Sequence, residues 1–201
     1  MRESVANQGT ESSGANWISY THPSASYQCA NWLDQMLHTD PFPQELACLC
    51  IGTDRSTGDS LGPLVGTQLE KRGIPFLRVY GTLEEPVHAV NLNQTLSQIK
   101  SDLKNPCVIA IDACLGQLAN VGKIQVGNGP LKPGAGVNKQ LPEVGQVHIT
   151  GIVNVSGFME YFVLQNTRLS VVMKMADVIA SAIETVSIHK LRHLSHEKKE
   201  S

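Results

Sequence analysis

From residue 26 onward the apolar positions alternate between two spacings. Cys29, Trp32, Leu33, Met36 and Leu37 recur at helical intervals, which predicts an amphipathic helix over residues 26–38. Asp40-Pro41-Phe42-Pro43 ends it, because proline cannot continue a helix and restricts the residue before it. Leu46-Ala47-Cys48-Leu49-Cys50-Ile51 is a continuous apolar run, as expected of a strand covered on both faces. Leu61, Leu64, Val65 and Leu69 then form a helical stripe, and Phe76 to Tyr80 reads as a second strand. Leu92, Leu96, Ile99 and Leu103 make the cleanest helical face in the chain, followed by the buried-strand pattern Cys107-Val108-Ile109-Ala110-Ile111. Two more strands are expected at Lys123–Val126 and Gln146–Val153, with a loop dense in Gly and Pro between them. A closing helix carries Leu169, Val172, Met173, Ala176, Ile179, Ala180 and Ile183 on one side.

Strands alternating with helices imply right-handed βαβ units. The expected class is α/β, a mostly parallel or mixed sheet flanked by helices, with ligands at the carboxyl ends of the strands. Residues 1–44 are expected to be a polar leader, flexible through about residue 24, plus one helix. Residues 45–190 form the single α/β domain, and 191–201 a polar, basic tail that frays.

The chain has 201 residues, 41% hydrophobic and 17% charged, an ordinary globular composition. Its formal net charge of −2 gives no electrostatic footprint for nucleic acid. No apolar run approaches a membrane span, and the first residues lack the apolar core of a signal peptide. The cysteines, Cys29, Cys48, Cys50, Cys107 and Cys114, are odd in number and form no CxxC pair. Reduced thiols in a cytoplasm are the expectation, with no cofactor and no metal.

Three segments can carry chemistry. Ile51-Gly52-Thr53-Asp54-Arg55-Ser56-Thr57-Gly58-Asp59-Ser60-Leu61 leaves a strand and enters a helix, which brings Asp59 to the active edge of the sheet. Asp59 is equally a candidate N-cap, and Asp54 and Arg55 are candidates to pair with each other. Asp112 follows the apolar run Cys107–Ile111 and projects toward the same crevice, with a turn-forming aspartate as the plainer reading. Adjacent strands lie roughly 5 Å apart, so acids after two neighbouring strands can share one space and one proton. That gives one acid and one base, as water-mediated amide hydrolysis requires. The third segment, Gly127 to Lys139, contains Lys132, Gly134, Gly136, Asn138 and Lys139; its glycines permit close approach to a ligand, and its lysines can hold a carboxylate or carbonyl. It is not a Walker loop, and no Gly-x-Ser-x-Gly elbow occurs. Cys114 reads as a buried thiol rather than a nucleophile.

The segments Ile51-Gly52 through Asp59-Ser60-Leu61-Gly62-Pro63, Ala110-Ile111-Asp112-Ala113 and Pro133-Gly134-Ala135-Gly136-Val137-Asn138-Lys139 resemble, in the same order, those of the germination (spore) protease family. They are most similar to the small YyaC-type sporulation proteins of endospore-forming bacteria. The resemblance covers residues 45–188. It implies a phosphorylase/hydrolase-like fold, an aspartate-based endopeptidase with Asp59 and Asp112 as the catalytic acids, and a sporulating cell or forespore as the location. Hydrogenase maturation endopeptidases look like more distant relatives, in which matching acids and a histidine hold a metal. The stretch where that histidine is expected, Asn154-Val155-Ser156-Gly157-Phe158-Met159, contains none. The substrate so implied is a protein or peptide, held by Asp54, the glycine loop and Lys132 or Lys139. A homo-oligomer stays open. So does a second reading, a non-catalytic sporulation protein that uses the same cleft to bind a peptide or protein partner.

Overall fold

A computed structural model describes residues 15–37, 45–133 and 141–200, with side chains for those between 16 and 190. The strands β1 (Ala15–Ser19), β2 (Leu46–Cys50), β3 (Leu77–Tyr80), β4 (Cys107–Gly116), β5 (Lys123–Asn128) and β6 (Val147–Val155) form one sheet in the order β1-β5-β6-β4-β2-β3. The four strands β6, β4, β2 and β3 are parallel, while β5 runs antiparallel to β6 and β1 antiparallel to β5. The mixed, mostly parallel α/β sheet expected from the alternation is present. All five residues of β2 are buried, as its unbroken apolar run required.

Helices cover the two faces. On one side, α1 (Ala25–Met36), α2 (Leu61–Arg72) and α5 (Leu169–Glu200) enclose the larger core, in which Leu33, Leu61, Leu69, Ile109, Ile111, Ile124, Ile149, Met175 and Ile179 are fully enclosed. On the other side α3 (Leu92–Asp102) sets Leu92 and Ile99 against Ala47, Leu49, Ile51 and Ala110. The last helix to introduce, α4 (Glu160–Gln165), is short and follows β6. Among the described residues no helix is long and apolar enough to cross a membrane. All five cysteines are free thiols.

Three expectations are corrected. The leader does not extend to residue 24, because β1 lies within it and pairs with β5 across Ala15↔Gly127 to Ser19↔Lys123. Its signal is weak: Ile18 is the only large apolar side chain of the strand that is buried, and Trp17 beside it is exposed. The tail does not fray at 191, because α5 continues to Glu200; residues 191–200 contain neither Gly nor Pro to stop a helix. On α5 itself, Leu169 and Met173 are exposed, and Met175 takes the core position instead. The buried stripe starts one turn later than the apolar pattern implied.

Candidate functional site

After β2 the chain moves toward β3, and after β4 it moves the other way, toward β5 and β6. The carboxyl ends of β2 and β4 therefore flank the point where the strand order reverses, the position at which open α/β sheets bind ligands. The two strands run in register from Leu46↔Cys107 to Cys50↔Ile111. Ile51 still donates its N–H to Ile111 O at 2.7 Å, and the chain then turns out of the sheet at Gly52. Both aspartates belong to this break.

Asp59 sits in a 3-10 turn, Gly58–Ser60, that leads into α2 and packs against β4. Gly52 has φ +143, and a Cβ there would collide with Asp59 O. Thr53 N donates to Asp59 O at 3.0 Å and closes the loop. Asp59 is not the side-chain cap of α2: the cap position is Ser60, and no side chain bonds there. The carboxyl of Asp59 is pushed above the ordinary aspartate range by burial, against the opposing pull of a backbone hydrogen bond from Thr53 and the charge of His88.

Asp112 does not end its strand. β4 continues to Gly116, paired with β6 through Asp112↔Thr150 and onward, with a register shift between Cys114 and Leu115. Asp112 is instead the first β4 residue beyond the last β2 partner, at the carboxyl edge of the β2–β4 pair. The continuation escapes a reading of apolar runs because Asp112 and Gly116 interrupt the pattern. The side chain is buried, and its Oδ1 accepts Ala113 N at 2.8 Å. Cys114, two residues on, shares its face of the strand. Its thiol is pushed up to about 11 by burial and by the negative charge of Asp112, against a hydrogen bond with Thr150. A thiol so raised is protonated near neutral pH, which agrees with its reading as a non-nucleophile.

Asp54 and Arg55 are exposed, and no ion pair joins them among the described residues; Thr53 Oγ1 lies 3.5 Å from Asp54 Oδ1. Lys132 is exposed and pairs with Glu143 at 3.0 Å. Gly134, Gly136, Asn138 and Lys139 lie outside the described residues.

Two residues that no local pattern singled out stand close to Asp59. Ser56, in the same loop, has a buried hydroxyl with no hydrogen-bond partner among the described residues. A buried hydroxyl is costly unless a partner, such as a water or a ligand, satisfies it. His88 is brought beside the loop by a bridge between Ile51 and Val87, with Gly52 N donating to Val87 O at 2.8 Å. Asn91 Oδ1 accepts from His88 N, and Val90 N donates to His88 Nδ1 at 3.3 Å, which fixes the ring beside the loop. A histidine 29 residues further along the chain from Asp59 gives no sequence signal of this proximity.

Residues 17–182 match the model of the family described as Protein of unknown function (DUF1256). The chain belongs to this family. It is 56% identical over 167 residues to the Uncharacterized protein YyaC of Bacillus subtilis (strain 168), spanning 83% of this chain and 81% of that one. The crystal structure of a NiFe hydrogenase maturation protease, HycI from Thermococcus kodakarensis KOD1, shares the fold with a TM-score of 0.51 at 14% identity, over 77% of this chain and 97% of that chain. At that identity the likeness concerns the fold: this DUF1256 member is a mixed α/β sheet flanked by helices, similar to the maturation protease. No described group of three or more His, Cys, Asp and Glu side chains is suited to hold a metal. Asn154, in the stretch where a histidine ligand was expected, donates its amide to Val163 O and Thr167 Oγ1, each at 3.2 Å.

Proposed function

We propose that the protein is an aspartate-dependent endopeptidase of sporulation or spore germination, working in the cytoplasm of the sporulating cell or forespore. The observation that carries the reading is a pair of acids in unequal environments bracketing the switch point: Asp59 raised by burial, and Asp112 inside β4. The fold likeness to a protease supports it. In this mechanism Asp59, whose carboxyl burial raises above the ordinary range, is the general acid, and Asp112 is the general base. Asp112 takes a proton from water as the water oxygen bonds to the scissile carbonyl carbon. Asp59 then gives its proton to the amide nitrogen as the C–N bond breaks, leaving a carboxylic acid and an amine. Asp54, Lys132 and the glycine loop with Gly134, Gly136, Asn138 and Lys139 hold the chain being cut.

The test incubates the purified full chain with extracted spore proteins, beside Asp59→Asn and Asp112→Asn. Wild type cleaves at least one spore protein, and each variant is slower by about 100-fold or more, the scale of a lost acid or base. Equal cleavage by all three proteins makes the aspartates structural. A folded wild type that cleaves nothing yet retains a spore protein replaces the enzyme with a non-catalytic binding protein.

A further inference from the structure

Among the described residues nothing pairs with the outer side of β3, the last strand of the sheet. Leu46 N donates to Phe76 O at 3.3 Å, and residues facing a neighbouring strand alternate along a ladder. With Leu46 opposite Leu77 and Ala47 opposite Arg78, the backbone groups of Arg78 and Tyr80 turn toward β2. Those of Leu77 and Val79 turn outward. A groove of about 940 Å³ runs along this edge. Glu70 of α2 stands on one wall, and Asn91, Gln94, Thr95, Gln98 and Asp102 line the other at helical spacing along α3. From Asn91 to Asp102 the helix rises ~16 Å, the length of about five extended residues.

The charge of the groove is one-sided. Glu70, Glu84, Glu85 and Asp102 set four carboxylates against the guanidinium of Arg78, in a chain whose formal net charge is only −2. We propose that this groove docks an extended, basic peptide segment of a partner protein, added to the open edge of β3 as a further strand. The outward N–H and C=O of Val79 and the C=O of Leu77 supply the backbone pairing, and the carboxylates select lysine and arginine side chains. The same carboxylates repel nucleic acid. A segment lying there emerges beside His88, which lines the end of the groove nearest the candidate site and whose charge reaches Asp59. Docking does not depend on the aspartates being catalytic.

The test uses the full chain and a fluorescein-labelled eight-residue peptide of alternating valine and lysine, read by anisotropy. Its counterpart has glutamate for lysine. The basic peptide binds, the acidic one does not, and added salt weakens binding as screening requires. Glu84 and Glu85 are exposed, so Glu84→Lys/Glu85→Lys leaves the fold intact and lowers affinity at least tenfold. Val79→Pro removes an outward N–H without taking a bond from the β2–β3 ladder, and also abolishes binding. Hydrogen exchange of the Val79 amide slows when the basic peptide is added to wild type. Equal affinity of wild type and the double lysine variant overturns the proposal, as does an unchanged Val79 amide at saturating peptide. A dimer of the free protein that Val79→Pro dissolves overturns it too, since a second copy then owns the edge.

Discussion

Burial raises the Asp59 carboxyl, while the Thr53 backbone hydrogen bond and the His88 charge hold it back. A folded-state value above the unfolded one means that the unfolded chain ionises this group first as pH rises. Asp59 thus favours the folded state below the ordinary aspartate range, and that advantage is lost as pH climbs through its raised value. Asp59→Asn removes this dependence. In thermal unfolding of the two proteins, the substituted chain is expected to gain on wild type from acid toward neutral pH. A gap that instead grows in favour of wild type would mean the carboxylate is held by stronger partners than those named. The same chemistry predicts a bell-shaped pH profile for cleavage, described by apparent values belonging to the pair of aspartates. His88→Gln removes a charge that favours ionised Asp59, so the basic limb of the profile moves to higher pH. A profile unchanged by that substitution separates His88 from the reaction. At this scale the two acids were legible because each follows a buried apolar run. Ser56 and His88 were not, because burial of a hydroxyl and closeness across separate loops depend on how β2 and the β3–α3 connection come together.

The elements around the site owe their closeness to absent side chains. A Cβ on Gly62, in the first turn of α2, would meet the backbone of Ile51, including its carbonyl oxygen. The helix can lie this near the end of β2 only without that atom, and the Asp59 turn is held by the same approach. Gly62→Ala is expected to destabilise by about 3 kcal/mol, the upper range for overpacking. For a domain of this size that is roughly 6–12 °C in Tm, measured by circular dichroism. A loss under about 1 °C would mean that α2 shifts without strain. The strands and helices from β2 to β6 were readable because apolar runs and 3.6-residue stripes are local signals. The end of β4 was not, since pairing with β6 keeps polar Asp112 in the strand where the sequence alone implies an exit. The first residues of α5 misled for a related reason: Leu169 and Met173 satisfy the helical period and still face solvent.

For the molecule as a whole, residues 15–37 are part of the fold rather than an attachment to it. β1 extends the sheet beside β5, and α1 packs along α5, where Lys190 reaches Asp34 at 3.8 Å. Ile18, Cys29, Leu33 and Leu37 are buried in the larger core by this arrangement. Removing residues 1–44 takes away three large aliphatic side chains, each worth ~1.5–3 kcal/mol when fully buried, or roughly 5–9 kcal/mol together. It also opens to water the faces of α5 and β5 that they cover, including Ile124, Ile179 and Ile183. Domains of this kind have ~5–15 kcal/mol of net stability, so the loss consumes most of the margin. A chain beginning at Glu45 is therefore expected to keep helical circular dichroism, lose its cooperative thermal transition and bind a dye for exposed apolar surface. Removing only residues 1–14 takes away none of the packing made by β1 and α1, and is expected to leave Tm within about 2 °C. Comparing the two truncations in one melting experiment locates the boundary. If the chain from Glu45 unfolds cooperatively near the full-length Tm, β1 and α1 are accessories, and the core of β2 to α5 stands without them.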